Sequence, residues 1–303
     1  MNILKLFADY PFIPSFLDSG KEITDIVYDS RKARPDTIFV AMRGANRDGH
    51  DSCMNAYENG CRDFVVEHRV TLPNDAITYL VADSRRALSV MSRSLFQFTP
   101  KEEKELVPTQ LIAVTGTKGK TSTCMILRSI LEAAGRKVGY IGTLGVMYDG
   151  KVLETPNTTP ESYEIFRHLR QMRLSGCEYV LIEASSQGVK LHRTADLCFN
   201  LGVFTNLSPD HIGPGEHESF EEYLACKREL FSQCALSIGN IDDEYYDCQE
   251  TYPNYTTLVQ GYTTLRLGGN YVFNMDAPQQ LTVSTANDVF TGDMTSAVFL
   301  PSG

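Results

Sequence analysis

The sequence predicts an α/β protein of two domains, a small first domain and a larger second domain built on a mostly parallel sheet. From Leu111 onward, strand-like runs alternate with helical patterns, which is typical of βαβ units. Upstream, residues 97–110 are polar, charged and bracketed by prolines, which suits a linker. A chain of 303 residues, 42% hydrophobic and 22% charged, has room for roughly two globular domains.

The first domain is predicted to span residues 1–105. Residues 23–43 hold two short runs rich in β-branched and aromatic residues, on either side of a Ser-Arg-Lys-Ala-Arg-Pro-Asp turn. A helical pattern follows near residues 50–59, and another strand is predicted at Asp63–Glu67. These elements indicate a small α/β domain.

The second domain is predicted to span residues 106–303. Its predicted strands read LIAVTG, KVGYIG, YVLIEAS, LGVFTN and ALSIGN, and its predicted helices cover residues 121–134, 160–174 and 219–234. After about residue 250, short Tyr-, Thr- and Val-rich stretches predict an antiparallel addition. In such a sheet, ligands bind at the carboxyl ends of the parallel strands.

Two of these helices carry start signals. The helix over 160–174 is predicted to have Thr159 as its N-cap and Pro160 at its first position, where a missing N–H costs nothing. The helix over 219–234 is predicted to open with a capping box of Ser219 and Glu222.

Charge and cysteine content exclude several classes of protein. A formal net charge of −10 argues against a nucleic-acid or membrane surface, which needs clustered Lys and Arg. Eight cysteines are scattered without a CxxC pair, which indicates reduced thiols rather than a disulfide framework. Because the sequence also lacks a signal-peptide pattern and a long apolar run, we expect a soluble, cytoplasmic protein.

The strongest chemical signal is the segment VTGTKGKTST, residues 114–123, between a predicted strand and a predicted helix. Small residues let backbone N–H groups surround phosphates, Lys120 can reach the β- and γ-phosphate oxygens, and Thr121 can ligate Mg²⁺. The spacing differs from the usual Walker A motif, whose first glycine would fall at Val114. A glycine-rich turn without a ligand is the alternative. The predicted ATP-binding residues are Gly116, Thr117, Lys118, Gly119, Lys120, Thr121 and Ser122.

This short loop resembles the ATP loop of the Mur ligases and of the folylpolyglutamate synthetases. Four further segments resemble the MurE-type ligases in order and spacing: NTTP (157–160), EASSQGVKLHR (183–193), FTNLSPDHIG (204–213) and YLACKRELF (223–231). Upstream, YDSRKARPDTIFVAMRGANRDGH (28–50) resembles the UDP-binding domain of the same family. The resemblance implies a UDP-sugar-binding first domain and a central P-loop ATPase domain.

Three residues outside the loop are candidate metal ligands. Glu183 ends an apolar strand, where burial of an unpaired carboxylate would be costly. A carboxylate in that position, facing an ATP loop, is a natural Mg²⁺ ligand. A glutamate on the surface is the alternative. The resemblance implies that His211 is a second metal ligand and that Lys227 is carbamylated by CO₂ to a carboxylate that helps to hold Mg²⁺. A solvated lysine in mid-helix is the alternative for Lys227. Lys120, Lys227 and His211 are the predicted catalytic residues, and Asn206 and Asp210 are placed nearby without a definite ligand.

The resemblance also assigns substrate contacts. It places Ser30 near the UDP moiety, a second group of residues on the substrate, and Arg193 on a phosphate or carboxylate. The second group is Asn157, Thr158, Thr159 and Ser185. Gln187 replaces a histidine common in the family, and Leu191 stands where some members have glutamine, so substrate contacts there stay open.

The implied reaction is ATP-dependent addition of a third amino acid, diaminopimelate or lysine, to UDP-MurNAc-L-Ala-D-Glu in peptidoglycan synthesis. ATP and Mg²⁺ are the expected cofactors, small molecules the expected partners, and a monomer the expected state. The family's C-terminal Rossmann-like domain is expected to be absent here, so the 303-residue chain is expected to turn over little by itself. The alternatives are a non-catalytic nucleotide or UDP-sugar binding fragment and a folylpolyglutamate synthetase-like ligase.

Overall fold

The structure is a computed structural model. It describes residues 1–240 apart from 9, 17–19, 45–46, 211 and 214–215, together with the backbone of residues 280–284 and 289–293.

The first sheet has five strands in the order β1-β5-β4-β3-β2. Strands β2 to β5 run parallel, and the short β1 pairs antiparallel with β5. Helices cover both faces of this sheet. Neighbouring side chains of a strand point to opposite faces, so Ile38 packs towards the first and third helices and Phe39 towards the second. The elements are α1 (Ile3–Phe7), β1 (Ile13–Pro14), β2 (Asp25–Val27), β3 (Thr37–Val40), α2 (Cys53–Glu58), β4 (Asp63–Val66), β5 (Ile77–Leu80) and α3 (Ser84–Phe96).

The second sheet has seven strands in the order β12-β11-β6-β10-β7-β8-β9, parallel from β12 to β7. Helix α5 packs on one face of this sheet and α6 and α8 on the other. The elements are α4 (Pro100–Glu105), β6 (Gln110–Thr115), α5 (Lys120–Ala133), β7 (Val138–Gly142), β8 (Gly145–Tyr148), β9 (Lys151–Leu153), α6 (Ser162–Leu174), β10 (Tyr179–Glu183), α7 (Ser186–Lys190), β11 (Phe199–Phe204), α8 (Phe220–Phe231) and β12 (Cys234–Gly239).

The mostly parallel α/β architecture and the five predicted strands of the second domain are confirmed. The antiparallel hairpin of β8 and β9 was not predicted. The Asp149-Gly150 pair in the sequence indicates this hairpin, because a tight hairpin turn requires positive φ and these residues have φ of 51° and 71°.

Two predicted helix starts need correction. Helix α6 begins at Ser162 with Glu161 as its N-cap, so Thr159 and Pro160 precede the helix. Ser219 does cap α8, but the Glu222 carboxylate accepts from the amide of Glu218 at 2.7 Å rather than completing a capping box.

The predicted linker, residues 97–110, contains the short helix α4. Its N-terminus is a capping box formed by Thr99 and Glu102. Arg170 of α6 also donates to the Glu102 carboxylate at 2.7 Å. This segment is therefore attached to the second domain rather than being an extended connection, and it lies between the last strand of the first sheet and the first strand of the second.

The two sheets meet at a seam, where α3 packs against α6. The seam is polar: Tyr163 donates to Asp25 at 2.7 Å, and Arg86 of α3 forms a bidentate ion pair with Asp196. Beside it lies a cavity of about 300 Å³ between β2 and α6. Residues of both domains line this cavity, which forms a cleft between them.

Beyond residue 240 the structure describes two strands, β13 (Gln280–Ser284) and β14 (Val289–Asp293), which pair antiparallel. The remaining residues of the predicted antiparallel addition lie outside the described part of the chain. None of the helices that the structure describes combines the length and the apolar character needed to cross a bilayer.

Candidate active site

The predicted ATP-binding residues, Gly116 to Ser122, form the loop between β6 and α5 and the first turn of α5. Gly116 has φ of +148°, and a Cβ there would overlap the Thr205 hydroxyl and lie 3.0 Å from the Asn206 carbonyl oxygen. Gly119 has φ of +85° and precedes the first residue of α5. Glycine is required at Gly116 for both backbone conformation and space.

The loop is held from the side by residues that follow β11. Asn206 accepts from the amide of Thr117 with its backbone oxygen, at 2.8 Å, and from the amide of Lys118 with its side-chain oxygen, at 2.9 Å. Asp210 forms an ion pair with Lys118 at 2.8 Å. Asn206 therefore supports the loop directly.

Lys120 lies across its own loop. Its ammonium group donates to the carbonyl oxygens of Gly116, at 2.9 Å, and Thr117, at 3.1 Å. Burial lowers the pKa of Lys120, although the Glu183 carboxylate acts in the opposite direction. The lysine is placed over the turn where phosphates bind in loops of this kind.

Glu183 ends β10 and is fully buried. The two oxygens of its carboxylate accept hydrogen bonds from Tyr140, from the amide (3.3 Å) and hydroxyl (3.1 Å) of Thr143, and from the hydroxyl of Thr121 at 3.0 Å. Because β10 pairs with β6 in the register Glu183 to Val114, this carboxylate lies beside the start of the loop. The alternative of a surface glutamate is wrong.

Lys227 of α8 is 2% exposed. Its ammonium group donates to the carbonyl oxygen of Gly116 at 2.9 Å and lies 4.6 Å from the ring centre of Tyr223. The Tyr223 hydroxyl in turn lies 2.9 Å from the hydroxyl of Thr117. Burial, with a contribution from the positive charge of Lys120, lowers the pKa of Lys227 to about 7. The alternative of a solvated lysine is therefore wrong.

The segment that precedes α6 lies against the end of β10. Thr159 is buried; its hydroxyl donates to the backbone oxygen of Glu183 at 2.7 Å and lies 2.9 Å from the hydroxyl of Ser185. Thr158 lies 3.0 Å from Thr143, hydroxyl to hydroxyl, and Asn157 is exposed. Thr159 and Ser185 thus lie at the end of β10, and Thr158 contacts Thr143, which in turn donates to the Glu183 carboxylate.

The remaining predicted site residues are Ser30, Arg193 and His211. Ser30 begins a short 3-10 turn in the first domain, and its carbonyl oxygen accepts from Asn59 at 2.9 Å. Arg193 is bonded to the carboxylate of Glu161 and to the carbonyl oxygen of Thr159. His211 lies outside the described residues.

Of the two departures from the family pattern, Leu191 is the C-cap residue that follows helix α7, and Gln187 has a buried side-chain nitrogen without a partner among the described residues. Sequence reasoning missed Tyr140, Thr143 and Glu161. Each contacts a predicted site residue from a distant part of the chain, so no local pattern indicated it.

Residues 114–264 match the family model of the Mur ligase middle domain. The chain is also 36% identical over 237 residues to a UDP-N-acetylmuramoyl-L-alanyl-D-glutamate–2,6-diaminopimelate ligase of Clostridium perfringens. That alignment covers 78% of this chain and 47% of the relative. The chain belongs to the Mur ligase family. The family expected from the sequence is thereby confirmed.

Further comparisons agree with this membership. A ligase of the same name from Clostridium botulinum is 36% identical to this chain over 248 residues. The alignment covers 81% of this chain and 49% of the relative. A solved structure of a ligase of that name aligns with a TM-score of 0.69 at 22% identity, over 84% of this chain and 50% of that one. A MurF structure from Acinetobacter baumannii aligns with a TM-score of 0.57 at 18% identity, over 96% and 59%. The Mur ligase chain spans about half the length of the curated relatives it matches.

Proposed function

We propose that this Mur ligase chain forms the UDP-sugar-binding and ATP-binding part of a MurE-type ligase. Such an enzyme adds the third amino acid, diaminopimelate or lysine, to UDP-MurNAc-L-Ala-D-Glu. The observation that carries the proposal is the convergence of buried Glu183 and buried Lys227 on the loop from Gly116 to Thr121. The two Clostridium relatives are diaminopimelate ligases, which favours that amino acid.

In the proposed reaction, ATP phosphorylates the D-Glu carboxylate to an acyl phosphate, and the amino group of the incoming residue then displaces phosphate. The products are an amide, ADP and phosphate. Lys120 and the loop amides offset negative charge on the transferred phosphoryl group, so the protein contributes mainly positioning and electrostatic stabilisation. Lys120 must leave the carbonyl oxygens of Gly116 and Thr117 to reach the phosphates.

The residues present fit a bound Mg²⁺. The hydroxyl of Thr121 and the carboxylate of Glu183 are adjacent oxygen donors, which Mg²⁺ prefers. Among the described residues, no group of three or more His, Cys, Asp or Glu side chains is suited to a metal. We propose that carbamylated Lys227 supplies a second carboxylate, and that His211 contributes a further ligand. Mg²⁺ would neutralise phosphate charge when bound.

We place the nucleotide sugar along the cleft between the domains. Ser30 contacts UDP from the first domain, and Asn157, Thr158, Thr159 and Ser185 contact the substrate from the second. Hydroxyl and amide groups suit diphosphate and sugar oxygens. The enzyme is proposed to act as a soluble, cytoplasmic monomer on small-molecule substrates.

Calorimetry with UDP-MurNAc-L-Ala-D-Glu tests this assignment. The wild-type chain should bind the ligand, and a Ser30→Ala, Arg193→Ala double variant should bind it at least tenfold more weakly, since each lost charge-assisted hydrogen bond contributes about 1.5–3 kcal/mol. The exposed Arg69 provides a control as Arg69→Ala. Equal binding by wild type and the folded double variant would refute the assignment.

A further inference from the structure

The carboxylate of Glu161 is shared by two arginines, one from each domain. Arg193 donates to one carboxylate oxygen through two of its nitrogens, at 3.1 and 2.9 Å. Arg85 of α3 donates to the other oxygen at 2.9 Å. All three side chains are mostly buried, with exposed fractions of 16% for Glu161, 11% for Arg193 and 17% for Arg85.

This cluster has more positive charge and more donors than its internal partners use. Two guanidinium groups and one carboxylate leave a net charge of +1. Each guanidinium has five N–H donors. Arg193 also donates to the carbonyl oxygen of Thr159 at 3.0 Å, and Arg85 to that of Arg43 at 3.2 Å. Donors therefore remain on both arginines for an additional oxyanion.

The position of the cluster relates it to the proposed ligand. Thr159, which Arg193 contacts, also bonds to Ser185 and to the backbone of Glu183. Arg85 reaches the cluster from the first domain, the domain proposed to hold UDP. A nucleotide sugar held by both the first domain and the residues around Thr159 would therefore lie near this cluster.

We propose that Arg85 is a second substrate-binding arginine, which binds the same substrate oxyanion as Arg193, and that Glu161 is the positioning residue that holds the two guanidinium groups together. The inference rests on the proposed function. The oxyanion is either the diphosphate or the carboxylate of the peptide. The carboxylate presents planar oxygens and the diphosphate presents tetrahedral oxygens, and guanidinium groups bind both.

Arg85→Met tests the proposal in the 303-residue chain. The variant should bind UDP-MurNAc-L-Ala-D-Glu ten- to a hundredfold more weakly by calorimetry. UDP and UDP-MurNAc distinguish the two sources of the oxyanion. If all three ligands lose affinity, the arginine binds the diphosphate; if only the dipeptide ligand does, it binds the carboxylate.

Arg86→Met is the matched control, because Arg86 is the next residue of α3 and also crosses the seam, to Asp196. A folded Arg86→Met should keep wild-type affinity. The proposal is wrong, and Arg85 is only part of the seam, in either of two cases. In the first, Arg86→Met weakens binding as much as Arg85→Met does; in the second, neither variant changes the affinity. Should Arg85→Met fail to fold, Arg85→Lys replaces it, with an expected loss of about tenfold. Absence of wild-type binding would instead refute the proposed function, and the inference with it.

Discussion

At the scale of single residues, burial decides which charged groups are available for chemistry. Lys227 and Glu183 are both buried, but their surroundings differ. Glu183 receives hydrogen bonds from several donors. Lys227 donates to a carbonyl oxygen and has an aromatic ring beside it, and burial favours its neutral amine.

Carbamylation of Lys227 is the first prediction at this scale. Only a neutral amine attacks CO₂, so a pKa near 7 makes the reaction possible at physiological pH. With Mg²⁺, ATP and labelled bicarbonate, carbon-13 NMR should show a carbamate signal above pH 7 that declines as the pH falls below 7 and the amine is protonated. Lys227→Ala should remove the signal, whereas Lys151→Ala, at an exposed lysine, should keep it.

The same substitution tests the role of the carbamate in the full-length enzyme. Lys227→Ala should abolish turnover without unfolding the protein, and acetate should restore part of the activity by replacing the lost carboxylate. Wild-type turnover by Lys227→Ala would contradict the assignment.

At the scale of elements, the unit formed by β6, the glycine-rich loop and α5 depends on its neighbours. The loop is bonded to residues after β11, to Glu183 at the end of β10, and to Lys227 of α8. Because β6 lies between β10 and β11 in the sheet, all of these supports meet at one edge. The loop conformation is therefore supported by three other elements of the second domain.

Gly116→Ala should break this unit. The added Cβ would overlap the Thr205 hydroxyl and sit at an unfavourable φ, so we expect a loss of about 1–3 kcal/mol of stability and most of the ATP affinity. Gly135→Ala is the control: it also has positive φ, +76°, but nothing lies within 4 Å of its Cβ. That variant should lose about 1 kcal/mol and keep its affinity for ATP. Denaturant unfolding and ATP titration measure both; equal ATP affinities would contradict the expectation.

At the scale of the whole molecule, the domains are joined by a polar seam rather than by one continuous apolar core. Asp196 is 7% exposed and pairs with Arg86. Burial acts to raise the pKa of Asp196, but the hydrogen bonds and charge of Arg86 outweigh it and hold that pKa below its usual value. Because the folded-state pKa is depressed, this pair stabilises the protein above the unfolded-state pKa, and the contribution is lost as the pH falls through the folded-state value.

Asp196→Asn should therefore destabilise the protein at neutral pH and much less in acid. At pH 7 we expect a loss of about 1–3 kcal/mol, because the buried Asp196 side chain would no longer carry the charge that pairs with Arg86. The difference should shrink as the pH falls below about 4, and the two melting temperatures should converge once the pH has passed the depressed folded-state pKa and the wild-type carboxyl is also protonated. Thermal unfolding at several pH values checks this; a constant difference would show that charge is not the cause.

Local patterns in the sequence were sufficient for the parallel strands of the second sheet, the glycine-rich loop, the position of Glu183 at a strand end and the family. These features depend on periodicity and on residue types within short segments. The start of α6 was predicted wrongly because Thr159, a good N-cap residue, bonds instead to the end of β10.

Only the tertiary structure decided which groups share the site. The sheet order places β10 beside β6 and so brings Glu183 to Thr121, 62 residues apart in the chain. The seam brings Arg85 to Glu161, 76 residues away. The burial of Lys227 likewise depends on the packing of α8 against the loop. Such contacts arise from strand order and domain packing, which the local periodicity of a sequence does not encode.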